Sequence, residues 1–334
     1  MCRKNLRLEW ALAASTAALI ASGLSAQQVA DPNFNASVER PTYTNTHPRL
    51  VIDEAHANFH TATGRYKPLA DLLRSDGYEV VPGTATFTRE TLNGVKVLLI
   101  ANAVAPGATG EGSAPAFTEE ECDAVRDWVR DGGSLLLLAD HTPFGSAAKT
   151  LAARFGVEMG EGFVFDLNQS DGNPTALVFS RENGLLGEHP LLRGPDPAES
   201  ISRVVAFTGQ SLSVPEGAAV LLKLSPTAYE AATRDDVRAS IAAARQGGGS
   251  AGPAKSVAGR AQGIAFSFGK GRVVMLGEAG MFSAQIVRAS AGGQPLEMKM
   301  GMNVEGNDDR QFARNVLHWL SGLLNSCRSN FLEP

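Results

Sequence analysis

Hydrophobic positions along the chain come in short solid runs and in spaced series, and the two alternate. Residues 49–52, 95–100 and 134–138 are unbroken apolar or nearly apolar runs, each stopping at a polar residue. Runs of this length, bounded by turn residues, predict strands covered on both faces, as in a parallel sheet. Between them lie segments with helical spacing. Pro68 opens one, with Leu69, Leu72 and Leu73 on one face and Gly77 as its stop. A second carries Cys122, Val125 and Val129 behind Thr118 and Glu121, the residue pair of a capping box, and ends at Gly132-Gly133. A third spans about 146–155. The last carries Phe312, Val316, Trp319 and Leu320, with Asn307 and Asp308 as its cap and His318 on its polar side.

Strand–helix alternation with short connections predicts an α/β fold, a doubly wound and mostly parallel sheet of flavodoxin-like type. The second half reads differently. Residues 176–180, 204–208 and 219–224 look like strands between loops, and 263–268 with 272–276 reads as a hairpin across Gly269-Lys270-Gly271. Residues 160–260 are therefore expected to be a β-rich elaboration of one domain spanning 49–322, with 247–253 a flexible loop and 323–334 a tail. Residues 27–48, rich in Pro, Asn and Thr, read as an extended lead-in without elements of its own.

The first 26 residues have another composition. Arg3, Lys4 and Arg7 precede an apolar, alanine-rich stretch and then Ser25-Ala26. That order is expected of a secretory signal peptide, placing the mature protein in the periplasm or outside the cell, off the membrane. The chain has 334 residues, 19% of them charged, and a net charge of −5, so no nucleic-acid partner is expected. Cys122 and Cys327 remain after cleavage. Cys122 reads as a buried core thiol, and no disulfide framework is expected.

In open α/β sheets ligands bind outside the carboxyl ends of the strands. Here those ends carry ionisable groups: Asp53, Glu54 and His56 after the first strand, Asn102 after the third, Asp140 and His141 after the fourth, Glu278 after a late one. His56 and His60 are four residues apart. With Asp53 and His141 they make a mixed nitrogen and oxygen ligand set for a divalent metal, zinc in the first place. The other reading of the same residues is hydrogen-bonded turn carboxylates and histidines. Glu54, Asp140 and Glu278 are candidate acids and bases. Asn58, Asn102 and Gln210 are candidate substrate contacts, Gln210 because 208–211 follows an apolar strand. A Ser or Cys nucleophile is not expected, since the elbow at 138–145 offers only Thr142, followed by proline.

The run Val51-Ile-Asp-Glu-Ala-His56, the four leucines ahead of Ala139-Asp-His141, and Asn315-Val-Leu-His-Trp-Leu320 together resemble the class I glutamine amidotransferase-like superfamily. Within it they are most similar to a secreted branch near the trehalose-utilisation-like proteins. The resemblance implies a flavodoxin-like fold with its site at the strand ends. True amidotransferases carry Cys at the elbow and a later His–Glu pair. This chain has Asp140-His141 there and no matching pair, so amidotransfer is not expected. The sequence thus points to a secreted, metal-assisted hydrolase of a glycoside or an ester, acting on a small-molecule or glycan substrate. The alternative is a non-catalytic ligand-binding or scaffolding module of the cell envelope.

Overall fold

The computed structural model describes residues 27–105, 107, 114–246, 252–291 and 294–324. The expected leader, Cys327, and most of the expected tail and of the expected loop at 247–253 lie outside the described residues. In chain order the strands are β1 (Gln27–Ala30), β2 (Arg49–Asp53), β3 (Glu79–Gly83), β4 (Val97–Ala101), β5 (Ser134–Leu138), β6 (Phe163–Asp166), β7 (Ala176–Ser180), β8 (Arg203–Phe207), β9 (Ala219–Lys223), β10 (Ala228–Ala231), β11 (Lys255–Ser256), β12 (Ala261–Phe268), β13 (Gly271–Leu276), β14 (Ala284–Ala291) and β15 (Gln294–Gly301). The helices are α1 (Lys67–Ser75), α2 (Glu119–Arg130), α3 (Phe144–Ala153), α4 (Pro190–Arg193), α5 (Arg234–Arg245) and α6 (Asp309–Ser321).

The central sheet has seven strands in the order β3-β2-β4-β5-β13-β12-β9. The first five are parallel, and β12 and β9 continue the sheet antiparallel. Numbered by their place in the chain, the parallel strands run 2-1-3-4-5, the flavodoxin-like order. The four leucines of β5 explain themselves in this setting. Side chains alternate across a strand, so Leu136 and Leu138 enter one core while Leu135 and Leu137 enter the other. The first core is closed by Leu69, Leu72 and Leu73 of α1 and by Phe312, Val316 and Trp319 of α6. The second is closed by Cys122, Val125 and Val129 of α2 and by Ala147, Ala148 and Leu151 of α3. A strand between two helical layers has no wet face, so both of its phases are apolar.

The elaboration is β-rich but also contains the helix α5, whose Thr233 cap accepts the Asp236 N–H. Two further sheets, β11-β10-β6 and β7-β8, belong to it. A third, β1-β14-β15, corrects two expectations. Residues 27–30 are not featureless lead-in, because they pair antiparallel with β14 from Gln27↔Arg288 to Ala30↔Gln285. The hairpin β14–β15 carries no strong alternation and was not expected.

His318 also departs from expectation. It is buried, not on a polar face, and its Nε2 lies 2.6 Å from the Asp76 carboxylate. Asp76 also accepts from Arg314 and from the Thr42 N–H. A lone buried carboxylate would be costly, so it recruits this whole set. The cluster fastens the lead-in and the end of α1 to α6. The cap of α6 differs too: the Asp308 carboxylate turns away to accept from the N–H groups of Ser202 and Arg203.

Candidate functional site

Every strand end expected to deliver a polar group does so, but the groups divide into two sets. The first set is closed. Asp53 ends β2, fully buried, and both its oxygens lie 3.0 Å from His56 Nδ1. The other ring nitrogen, Nε2, lies 2.9 Å from Glu121 Oε1. Glu121 is the capping-box residue of α2, so one carboxylate serves the helix end through the Thr118 N–H and the imidazole as well. Phe87 and Phe117 pack against the His56 ring, with centroids 4.6 and 4.7 Å away. Burial alone pushes this imidazole down, but the hydrogen bonds and charges of Asp53 and Glu121 outweigh it and hold the ring above its ordinary value. Burial likewise pushes Glu121 up, and the Thr118 N–H, His56 and the Phe87 N–H win, leaving it lowered. His56 is thus a cation bridging two carboxylates.

The second set lines a cavity of about 640 Å³ at the carboxyl end of the sheet. Asp140 and His141 after β5 and Glu278 after β13 open on it, with His60, Arg65, Phe59, Phe144 and Phe163. Its walls come from two sources: Gln28, Gln285 and Met300 from the β1-β14-β15 sheet, and Phe207 of β8 with Arg234 and Val237 of α5 from the elaboration.

Asn102 organises this set. Its Oδ1 accepts the Asp140 N–H at 2.9 Å, which fixes the amide so that Nδ2 faces Asp140 Oδ2 at 2.6 Å and His60 Nδ1 at 3.3 Å. Its backbone is left-handed, φ 52°, a conformation asparagine tolerates better than most residues. Since Asn102 donates to His60 Nδ1, the His60 proton sits on Nε2, which has no hydrogen-bond partner among the described residues. Burial, with the Arg65 charge, pushes His60 down to about 3, so it is neutral.

His141 stacks on Phe163 at 4.1 Å, and its Nδ1 donates to the Thr142 carbonyl at 2.7 Å. That assigns the proton to Nδ1 and leaves Nε2 with a lone pair. Burial lowers the pKa of His141 against the opposing pull of Asp140. Glu278 is buried and accepts the N–H groups of Gly280 and Met281 at 2.5 and 2.8 Å. Burial, then the nearby Asp140 charge, pushes it well above the carboxylate range. Asp140 is raised by burial as well, against the opposing hydrogen bonds from Asn102 and the Ala279 N–H.

The expected ligand set Asp53, His56, His60 and His141 does not converge. Both nitrogens of His56 face carboxylates, the Nδ1 lone pair of His60 accepts from Asn102, and His141 belongs to the cavity. Among the described residues no group of three or more His, Cys, Asp or Glu side chains is arranged to hold a metal ion. The four expected donors do not form one site among the described residues.

Three other expected site residues are also spent elsewhere. Glu54 Oε1 accepts the Ala62 N–H and so shapes the loop after β2. Asn58 accepts the His56 N–H. Gln210 is fully buried, donating to the Ala139 carbonyl and accepting the Glu161 N–H, so it braces the β5 elbow without lining the cavity. The sequence reading missed Glu121, visible only as a helix cap, and the cationic residues Arg65, Arg234 and Lys299 of the cavity. It also missed Thr208, whose φ of 59° is unusual for a β-branched residue. Thr208 lines the cavity, and hydrogen bonds to Thr175, Val164 and Gln262 hold it there.

No family profile and no curated protein matches the sequence. Solved structures do. The structure described as "mmIFT52 N-terminal domain" is 15% identical, covers 82% of this chain and 97% of its own, and superposes with a TM-score of 0.52. A ThuA-like protein from Bacteroides uniformis is 14% identical over 84% of this chain and 95% of its own, at 0.42. A GMP synthase subunit protein from Thermoplasma acidophilum is 13% identical over 84% and 96%, at 0.37. Of these three the first alone superposes above 0.5, and at 15% identity that likeness reaches the fold and nothing finer.

Proposed function

We propose that this chain is a hydrolase of glycosides or esters whose working groups are His141 and Glu278, assisted by Asp140. One observation carries the reading. The cavity brings together Glu278, whose carboxyl is pushed well above its ordinary range by burial and the nearby Asp140 charge, and His141, whose imidazole is pushed below its ordinary value by burial. Hydrolysis needs such a pair: a base to take a proton from water and an acid to give one to the leaving oxygen. His141 Nε2 would accept the proton as the water oxygen bonds to the reacting carbon. Glu278 would donate its own as the carbon–oxygen bond breaks. Asp140, anchored by Asn102, would stabilise the imidazolium that forms. The basic, apolar and small-residue order of residues 1–26 supports action in the periplasm or outside the cell.

A second reading rests on Glu278 as well. Its two oxygens brace the turn at 280–281, which a binding module would need without any chemistry. The two separate on the full chain assayed against panels of 4-nitrophenyl glycosides and esters. Turnover that falls by about 100-fold or more in both His141→Ala and Glu278→Gln, with the melting temperature nearly kept, supports the hydrolase. Turnover within threefold of the parent in both variants, or none in the parent, refutes it and leaves the binding module.

A further inference from the structure

The cavity lining has two acidic side chains, Asp140 and Glu278, against three cationic ones, Arg65, Arg234 and Lys299. The acids are spoken for by Asn102 and the N–H groups of residues 279–281. The cations are not. No ion pair engages any of the three among the described residues. Elsewhere this protein pairs its arginines freely: Arg74, Arg126, Arg154, Arg181, Arg260 and Arg314 all have carboxylate partners. An excess of unpaired cations around one concave site attracts an anion.

The arginines are also placed. Arg65 lies over the Phe59 ring, 3.5 Å from its centroid, and its Nη1 donates only to the Phe59 carbonyl, at 3.3 Å. Arg234 lies 5.6 Å from the Phe163 ring. Between them the rings form a chain: Phe59 to Phe144 at 5.5 Å, Phe144 to His141 at 6.4 Å, His141 to Phe163 at 4.1 Å. The cavity therefore offers an apolar face with a guanidinium at each end. The Arg65 guanidinium is partly buried, and its Nε finds no partner among the described residues.

We propose that the cavity binds a carboxylate-bearing sugar, its ring face on Phe59 and Phe144 and its carboxylate on Arg65 or Arg234. The proposal rests on the reading of this cavity as the working site and names its substrate class, acidic glycans such as uronides. A guanidinium matches a carboxylate with two parallel hydrogen bonds, which a neutral hydroxymethyl group cannot accept in the same way.

The test is calorimetric titration of the full chain with glucuronate and with glucose, at low and high salt, in the parent, Arg65→Gln and Arg234→Gln. We expect glucuronate to bind at least about 10-fold more tightly than glucose, added salt to narrow the gap, and one arginine variant to abolish the preference. Equal affinities, no binding of glucuronate, or a preference indifferent to both variants would overturn the proposal. Binding is read without turnover, so the two claims fail separately. Glucuronate bound in preference, with no turnover on the glycoside and ester panels, supports this inference and removes the hydrolase.

Discussion

Replacing His56 by Ala tests whether this histidine is a ligand or a structural cation. In the parent, His56 supplies both of its N–H groups to buried carboxylates, at 3.0 Å to Asp53 and 2.9 Å to Glu121. Without it, the fully buried Asp53 side chain keeps one acceptor contact, from the Ala55 N–H at 3.2 Å. Glu121 keeps the N–H groups of Thr118 and Phe87. Removing one partner of a buried ion pair costs about 3–5 kcal/mol, because the other charge stays buried. The space left between Phe87 and Phe117 adds to this and keeps the estimate from the lower end. In a chain of this size that is a fall in melting temperature on the order of 10 °C.

The pH dependence carries a sign. His56 is raised above its ordinary 6.5, so its contribution is complete below 6.5 and fades as pH rises through the raised value. Glu121 is lowered below its ordinary 4.5, so its share is present above 4.5 and fades as pH falls through the lowered value. Urea unfolding of parent and variant should therefore show the widest gap between pH 4.5 and 6.5, narrowing on the alkaline side. A gap under about 1 kcal/mol, or one that grows with pH, would refute the bridging-cation account.

Three more outcomes are expected. Asp76→Asn should cost about 3–5 kcal/mol in urea unfolding, since it strips the charge facing Arg314; because Asp76 is lowered to about 2, the parent should lose this contribution only as pH falls from 3.8 toward 2, and a variant as stable as the parent at pH 7 contradicts it. Asn102→Ala should cost about 1–3 kcal/mol, by orphaning the Asp140 N–H and one carboxylate oxygen, and should lower turnover more than stability; unchanged kcat/KM would argue against its positioning role. The pH–rate profile should have an acid limb displaced below the ordinary histidine range by His141 and an alkaline limb displaced above the ordinary carboxylate range by Glu278. Glu278→Gln should remove the alkaline limb, and a limb that persists would assign it to another group.

The flavodoxin-like sheet could be read from residues alone, because its signals are local. A run such as Leu135–Leu138 can only be buried on both faces, and Thr118 and Glu121 lie three residues apart in the capping box they form. The same locality made the strand-end positions of Asp53, Asn102, Asp140, His141 and Glu278 legible, since a strand's last residue is marked by where its apolar run stops. What each group does there was not legible. His56 was read with its neighbour His60, four residues on, but it is claimed by Glu121, 65 residues away. Gln210 follows an apolar strand as a pocket residue would, yet it is spent on the Ala139 carbonyl and the Glu161 N–H. In the β1-β14-β15 sheet the β14–β15 hairpin carries no strong alternation, and the pairing of β1 with β14, Gln27 to Arg288, spans most of the chain. Burial and hydrogen-bond partnership are set by tertiary packing, and these decide whether an ionisable side chain is a brace, a base or a binding group. Composition placed the chemistry at the sheet's edge; only the folded arrangement separated the closed Asp53–His56–Glu121 bridge from the cavity in which Asp140, His141 and Glu278 meet.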